Sequence, residues 1–358
     1  MINKTGPKFR FLCFGVGAVG IYLGGSLVKI GHHVTFIDRP ENVEGVRQKG
    51  LHLIINNQVN EIENPDVVPT IEEALTHGPF DAAIFAVKGY DTDHVLKYLL
   101  PYQVALPPFI CIQDGIGNEA RLVNVLGPDK VIPAVLTTTV RKTGLGSATV
   151  IHERGIGMSG SHQLTAAIID AFNQTGMHVR RYRDATSMKW SKLLFSLMTN
   201  ASAAILQMTP EEIIRDPELR QIEIRQIQET LKVMRAQHIR IVNLPGFPIR
   251  WLNLLMLENV SPKLRDYALI KLVVEQPGSV MPLLAEDLKN GKRGCEVSTL
   301  NSAVVRHALQ SDISAPVNAA LSHLLTGIVT GNINPQVYYR NKSAFVEFIQ
   351  SFQMPSMY

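Results

Sequence analysis

The chain has 358 residues, 46% of them apolar and 18% charged, with a formal net charge of +4. That length exceeds one ordinary domain and predicts two, while the composition excludes disordered and fibrous classes. Lys and Arg are scattered, which excludes a nucleic-acid-binding stripe, and no apolar run is long enough for a membrane span. Met1 to Arg10 is short and polar, so a soluble, cytoplasmic protein without a secretory leader is expected.

Short β-rich runs at Phe9 to Phe14, His33 to Ile37, Ala82 to Val87, Phe109 to Ile112 and Val131 to Thr137 alternate with helical patterns. This alternation predicts a parallel sheet with crossover helices, and the nearly continuous apolar character of the runs predicts a sheet covered on both faces. Cys13 and Cys111 fall inside such runs and read as buried; with Cys295 they are far apart and lack metal-ligand spacing, so a reducing compartment and no metal are expected. Ser147 to Ser159 predicts two further strands that extend the sheet.

From Ala185 onward the apolar spacing is helical, with predicted helices at Ala185 to Gln207, Pro210 to Gln237, Trp251 to Val274, Met281 to Asn290 and Val297 to Gln310. Pro245, Gly246 and Pro248 interrupt this half, and Gly291 to Gly294 marks a polar turn. The expected architecture is α/β, a Rossmann domain over residues 1–184 followed by an all-helical domain over 185–358, with no internal repeat.

Directly after the first strand stands Gly15-Val16-Gly17-Ala18-Val19-Gly20, followed by the apolar helical run Ile21 to Ile30. In this strand, turn and helix context the three glycines permit a tight turn, close approach of a pyrophosphate, and close packing of helix on strand. Free N–H groups at the helix start would hold the phosphates. The second strand ends in Asp38-Arg39. Asp38 suits a ribose 2′-hydroxyl and hence NAD; Arg39 suits a 2′-phosphate and hence NADP.

Farther on, Lys192, Ser196 and Asn200 recur every four residues on the predicted helix 185–207, forming one polar stripe, with Leu193, Leu194, Leu197 and Met198 on the other side. A helix of this kind packs by its apolar face and presents the stripe outward, either to solvent or to a ligand. Reduction of a ketone needs a proton for the oxygen that becomes negative and a cation to stabilise it, and a lysine supplies both.

Three later segments, taken with the fingerprint, make the chain resemble the ketopantoate reductase (2-dehydropantoate 2-reductase) family. They are Ala86-Val87-Lys88; Gln113-Asp114-Gly115-Ile116-Gly117-Asn118-Glu119; and Trp190-Ser191-Lys192-Leu193 with Asn200, followed downstream by Glu286-Asp287 and Cys295-Glu296-Val297. The resemblance implies NADPH-dependent reduction of a small 2-oxo acid, with Lys192 as general acid of reduction and base of the reverse reaction. It further implies that Asn200, Ser196 and Asp114 meet substrate, and that Gly15 to Gly20, Arg39, Lys88, Asp114, Thr138 and Glu296 meet cofactor. Glu296 would also help fix the lysine, and a homodimer fits the family.

Each assignment has a plainer counterpart: Lys88 as a surface residue capping a strand, Glu296 as the start of a helix favoured by its dipole, Thr138 as one of the threonines common at strand ends. The chain also departs from the family. Ser196 and Asp114 stand where asparagines are usual, Pro282 and Leu283 replace a serine pair, and Glu296 lies nine residues after Asp287 rather than eight. An anionic Asp114 would repel a 2-oxo carboxylate unless it is protonated, turned away or paired with a cation such as Lys88. The segment Trp251 to Gln276 is longer than its family counterpart and would cover the cleft or form a subunit contact. Three readings follow: ketopantoate reduction, reduction of another 2-oxo acid or related carbonyl or imine, and a non-catalytic dinucleotide sensor.

Overall fold

The computed structural model describes residues 7–257, 259–274, 281–289 and 296–353, with Leu283, Asp287 and Lys289 described by their backbone alone. Cys295, the Gly291 to Gly294 turn with its extra residue, and the last two residues of the Trp251 to Gln276 extension lie outside the described residues.

The chain forms two compact units. The first comprises residues 1–113, 118–188 and 244–247, and the second comprises 114–117, 189–243 and 248–358. The chain therefore crosses between them more than once, with short excursions at Asp114–Gly117 and Leu244–Phe247.

Among its described residues the first unit carries twelve strands: β1 (Arg10–Phe14), β2 (His33–Ile37), β3 (Leu51–Ile55), β4 (Gln58–Ile62), β5 (Asp66–Val68), β6 (Ala82–Phe85), β7 (Phe109–Cys111), β8 (Val131–Leu136), β9 (Thr139–Gly144), β10 (Ser147–His152), β11 (Ile156–Ser159) and β12 (Val179–Tyr182). Eight of them make one sheet in the order β12-β11-β8-β7-β6-β1-β2-β5. The six from β5 to β8 run parallel, while β11 lies antiparallel to β8 and carries β12 parallel to itself. Alternate residues of the central strands enter different cores: Phe11, Cys13, Ala82, Ile84 and Ile110 on one face, Leu12, Phe14, Ala83, Phe85 and Phe109 on the other. This two-sided burial explains why the strands read as unbroken apolar runs.

Of the two strands expected from Ser147 to Ser159, only β11 extends the main sheet. β10 instead joins a second, four-stranded sheet in the order β4-β3-β10-β9. Its β3–β4 hairpin turns at Asn56-Asn57, both with positive φ, as a two-residue turn between right-twisted strands demands. This small sheet packs on α1 (Ala18–Lys29), the helix that follows the glycine turn. The remaining helices of the unit are α2 (Pro40–Lys49), α3 (Ile71–Thr76), α4 (Thr92–Leu99), α5 (Asn118–Leu126) and α6 (Thr165–Gln174).

The helical half begins with α7 (Ala185–Leu197), α8 (Asn200–Leu206), α9 (Pro210–Arg215), α10 (Pro217–Ala236), α11 (Ile249–Leu255) and α12 (Pro262–Val274). It continues with α13 (Leu283–Lys289), α14 (Asn301–Gln310), α15 (Pro316–Thr330) and α16 (Lys342–Ser351). Three expected long helices are each two shorter ones. Pro217 divides α9 from α10, because its ring cannot continue a preceding turn and Asp216 is free to cap the new helix through its side chain. Pro262 likewise stands at the first position of α12, where its missing N–H costs nothing. The break between α7 and α8 involves no proline and bears directly on the site. Among the described residues no helix is long and apolar enough to cross a membrane, and no group of His, Cys, Asp and Glu could hold a metal ion.

Candidate active site

In the first unit the strand order reverses at β1, whose neighbours β2 and β6 follow it in opposite directions across the sheet. A crevice for a ligand forms at the C-terminal ends of strands where such a reversal occurs. Gly15 to Gly20 occupy this end of β1, with the Gly15 N–H bonded to the Ile37 carbonyl at 2.8 Å. A Cβ on Gly20 would stand 1.9 Å from the Gly15 carbonyl oxygen, so only glycine allows α1 to start this close to the strand. A Cβ on Gly17 would meet nothing within 4 Å. The turn is thus closed on the protein side and open on the other, and Gly17 leads into α1 with no side-chain cap on the helix N–H groups. These residues fit a dinucleotide pyrophosphate.

Asp38 is spent largely inside the protein. Its carboxylate accepts from the Val16 N–H at 2.7 Å, the Arg39 N–H at 2.7 Å and the Asn42 amide at 2.9 Å, bracing the glycine turn from behind. Arg39 reaches outward with a side chain 71% exposed, its guanidinium 3.8 Å from Asp91, a solvent-screened contact that leaves it able to meet an anion. Lys88 sits just past β6 at the start of a single 3-10 turn. Gln113, the first residue of the Gln113 to Glu119 motif, donates to the Val87 carbonyl at 2.9 Å and the Thr92 hydroxyl at 2.8 Å. Thr138 is buried, and its hydroxyl accepts from the N–H groups of Arg154 (3.0 Å) and Gly155 (2.9 Å), latching β8 to a later loop.

The second unit gathers Asp114, Lys192 and Ser196. The Lys192 ammonium lies 3.0 Å and 3.1 Å from the two carboxylate oxygens of Asp114 and donates to Ser196 Oγ at 3.3 Å. Asp114 is therefore paired with Lys192. Its loop is held by the Ile116 N–H, which donates 2.8 Å to the Thr299 carbonyl. Gly115 makes that seat reachable: with φ at +88° and a would-be Cβ 2.5 Å from Thr299, it is a position for glycine alone.

The expected stripe on one outward helix face needs correction. Lys192 is buried, its side chain only 10% exposed, and α7 ends at Leu197, so Asn200 begins a separate helix. Buried Leu193, Leu194 and Leu197 anchor α7, the Trp190 ring meets His307 edge-on at 5.0 Å, and the Ser191 hydroxyl accepts from the Val242 N–H. The half-buried Asn200 side chain makes no hydrogen bond to another described residue. Glu296 opens a 3-10 turn, and its carbonyl accepts from Thr299 and Leu300. The Pro282 carbonyl accepts from Ala285 and Glu286 at the start of α13.

Sequence reasoning missed Glu223. It is 2% exposed, and its carboxylate accepts from the Thr199 N–H at 2.7 Å and from the Ser202 hydroxyl and Gln226 amide. A signal was present: Leu219, Ile222, Glu223, Gln226 and Thr230 follow the apolar period of α10, and a charge among them sits on the buried face.

A glycine-turn nucleotide unit and a helical unit carrying a carboxylate-held lysine define a Rossmann-type oxidoreductase. Residues 11–158 match the family model for ketopantoate reductase PanE/ApbA, and residues 184–329 match the model for its C-terminal part. The chain belongs to the ketopantoate reductase family, NAD(P)-dependent oxidoreductases acting on CH–OH groups. Among curated relatives, 2-dehydropantoate 2-reductase of Archaeoglobus fulgidus is 25% identical over 90% of this chain and 98% of its own length. Among solved structures, a PanE/ApbA family ketopantoate reductase from Ralstonia eutropha superposes with a TM-score of 0.75 at 22% identity, covering 90% of this chain and 99% of that one. A D-mandelate dehydrogenase with NADH and anilino(oxo)acetate gives 0.72 at 18% identity, covering 91% and 100%. These two likenesses are of fold.

Proposed function

We propose that the chain reduces 2-dehydropantoate to pantoate with NADPH, Lys192 acting as general acid. The observation that carries this reading is the buried Lys192 ammonium, held by Asp114 and Ser196 on the helical unit. The bound dinucleotide supplies the hydride. Lys192 stabilises the negative charge that grows on the carbonyl oxygen and delivers the proton that converts it to a hydroxyl. Ser196 and the unspent amide of Asn200 orient the substrate, and Asp114 keeps the ammonium in one place between turnovers. On the cofactor side, Gly15 to Gly20 take the pyrophosphate, Arg39 the 2′-phosphate, and Lys88 and Thr138 line the dinucleotide. NADPH is preferred because the Asp38 carboxylate already accepts three hydrogen bonds, whereas Arg39 extends into solvent.

A second reading keeps the machinery and changes the substrate to another 2-oxo acid or a related carbonyl. The two-oxygen contact of Asp114 with Lys192 supports it, because a paired ammonium attracts a second carboxylate less strongly. One set of assays decides both. Lys192→Ala should lower turnover by about a hundredfold or more while cofactor binding, followed by nicotinamide fluorescence, is retained; undiminished turnover would refute the mechanism. A panel of 2-oxo acids with NADPH and with NADH ranks the substrates, and ketopantoate standing no higher than unrelated acids would leave the second reading.

A further inference from the structure

Ser196 and Asn200, both assigned above to substrate, stand on either side of a break. Thr199 adopts φ +59°, a left-handed conformation that a β-branched residue rarely takes. In an unbroken helix the Thr199 N–H would bond to the Phe195 carbonyl and the Leu197 carbonyl would accept from Ala201. Here the Thr199 N–H donates to Glu223 Oε2 at 2.7 Å, and the Leu197 carbonyl accepts from the Gln226 amide at 3.2 Å. Ser202, on the first turn of α8, donates to the other Glu223 oxygen. One buried carboxylate and its neighbour on α10 thus replace the backbone bonds that the break removes.

The support continues outward. Gln226 Oε1 accepts from Asn301 of α14 at 3.2 Å, while Asn318 of α15 donates to the Gln226 carbonyl at 3.0 Å and to Glu229 at 2.8 Å. Such a network is satisfied at each of these joints and rigid for that reason.

We propose that Glu223 is a positioning residue for the reductase site: by holding Thr199 in its left-handed turn, it sets the angle at which Asn200 stands to Lys192 and Ser196. This inference rests on the assignment of those three residues to the site. Burial pushes the Glu223 carboxyl up to about 7, against the hydrogen bonds from Ser202, Thr199 and Gln226 that favour its charged form. Its hydrogen-bond partners are neutral: Thr199 just before α8, Ser202 on α8 and Gln226 on α10, with Asn301 and Asn318 behind Gln226. Of the charged groups on these helices, Arg220 is held by the Ile214 and Arg215 carbonyls and by Asp266, Glu229 by the Val317 and Asn318 N–H groups, and Lys192 by Asp114. Once protonated, Glu223 loses the charge that strengthens its acceptance of the Thr199 N–H, and its hold on Thr199 weakens. KM for the 2-oxo acid therefore rises as pH falls through the neutral range.

The test is steady-state kinetics of Glu223→Gln, which keeps the size and removes the charge. KM for the oxo acid should rise by about tenfold with kcat changed less, KM for the dinucleotide should stay within about twofold, and the dependence of oxo-acid KM on pH between about 6 and 8 should flatten. Adding Thr199→Gly, which takes the left-handed turn without a Cβ clash, should restore much of the lost affinity. A purely structural role would lower stability without these responses. If Glu223→Gln does not fold, Glu223→Asp, with its shorter arm, should still raise the oxo-acid KM. An unaltered KM, or a rise that Thr199→Gly does not reverse, overturns the proposal. Lys192→Ala run alongside separates the failures, since undiminished turnover there removes the site assignment itself, whereas lost turnover with unaltered Glu223→Gln kinetics removes only the positioning role.

Discussion

At the site proposed above, the pairing of Asp114 with Lys192 sets the local charge. The carboxylate contributes no net charge with its ammonium partner, so an incoming carboxylate is drawn less strongly than it would be to a lysine held by neutral groups. Asp114 is 36% exposed and water screens the pair, which limits the effect. Asp114→Asn is therefore expected to lower KM for a 2-oxo acid by about fivefold, the equivalent of ~1 kcal/mol. KM for the corresponding 2-oxo amide should stay nearly constant. Measuring both substrates on both proteins checks this, and an equal change for acid and amide would show that Asp114 acts through shape.

Among elements, α10 packs against α9, α14, α15 and α16 of the helical unit. Asp216 caps it by accepting from the Glu218 and Leu219 N–H groups at 2.9 and 3.2 Å, and it also pairs with Lys342 at the start of α16. Burial pushes the Asp216 carboxyl up, but those N–H groups and the Lys342 ammonium outweigh it and hold the carboxyl below its usual range. Its contribution is thus present above the unfolded value of about 4 and lost as pH falls through the lower folded one. Asp216→Ala should cost about 1–2 kcal/mol at pH 7, seen as a drop in Tm of a few degrees, with the gap closing in acid. The parallel sheet and the glycine turn were legible in the sequence because local residue order dictates them. The α7–α8 break was not, since Leu193 to Ala204 reads as continuous helix. What stops it is Glu223, some twenty residues away in the chain, and spacing within a helix does not report such a partner. The Asp114 to Lys192 pair was hidden for the same reason: its expected cation, Lys88, is the nearer one in sequence.

For the molecule as a whole, Glu223 and Glu229 carry carboxyl groups raised by burial. Between the unfolded value of about 4.3 and the higher folded values, the native protein binds protons that the unfolded chain has released, so both groups favour folding as pH falls through that window. Burial and Arg306 lower His307, which works in the opposite direction below about 6.5. Comparing wild type with Glu223→Gln cancels the histidine: calorimetry from pH 8 to pH 5.5 should show wild-type Tm gaining on the variant by several degrees. Equal slopes would show that Glu223 titrates alike in both states.

The return of Leu244–Phe247 to the first unit also governs how the polypeptide can be made. Phe247 lies under the Arg154 guanidinium at 4.3 Å, and Pro245 packs close to Gly155. A ribosome that has finished the last strand of that unit has therefore not yet supplied all of its parts. Translation must run on through α7 to α10 before the missing tetrapeptide emerges. N-terminal units commonly fold first during synthesis, but here completion of the earlier unit waits on the later one, and no single cut separates two whole pieces.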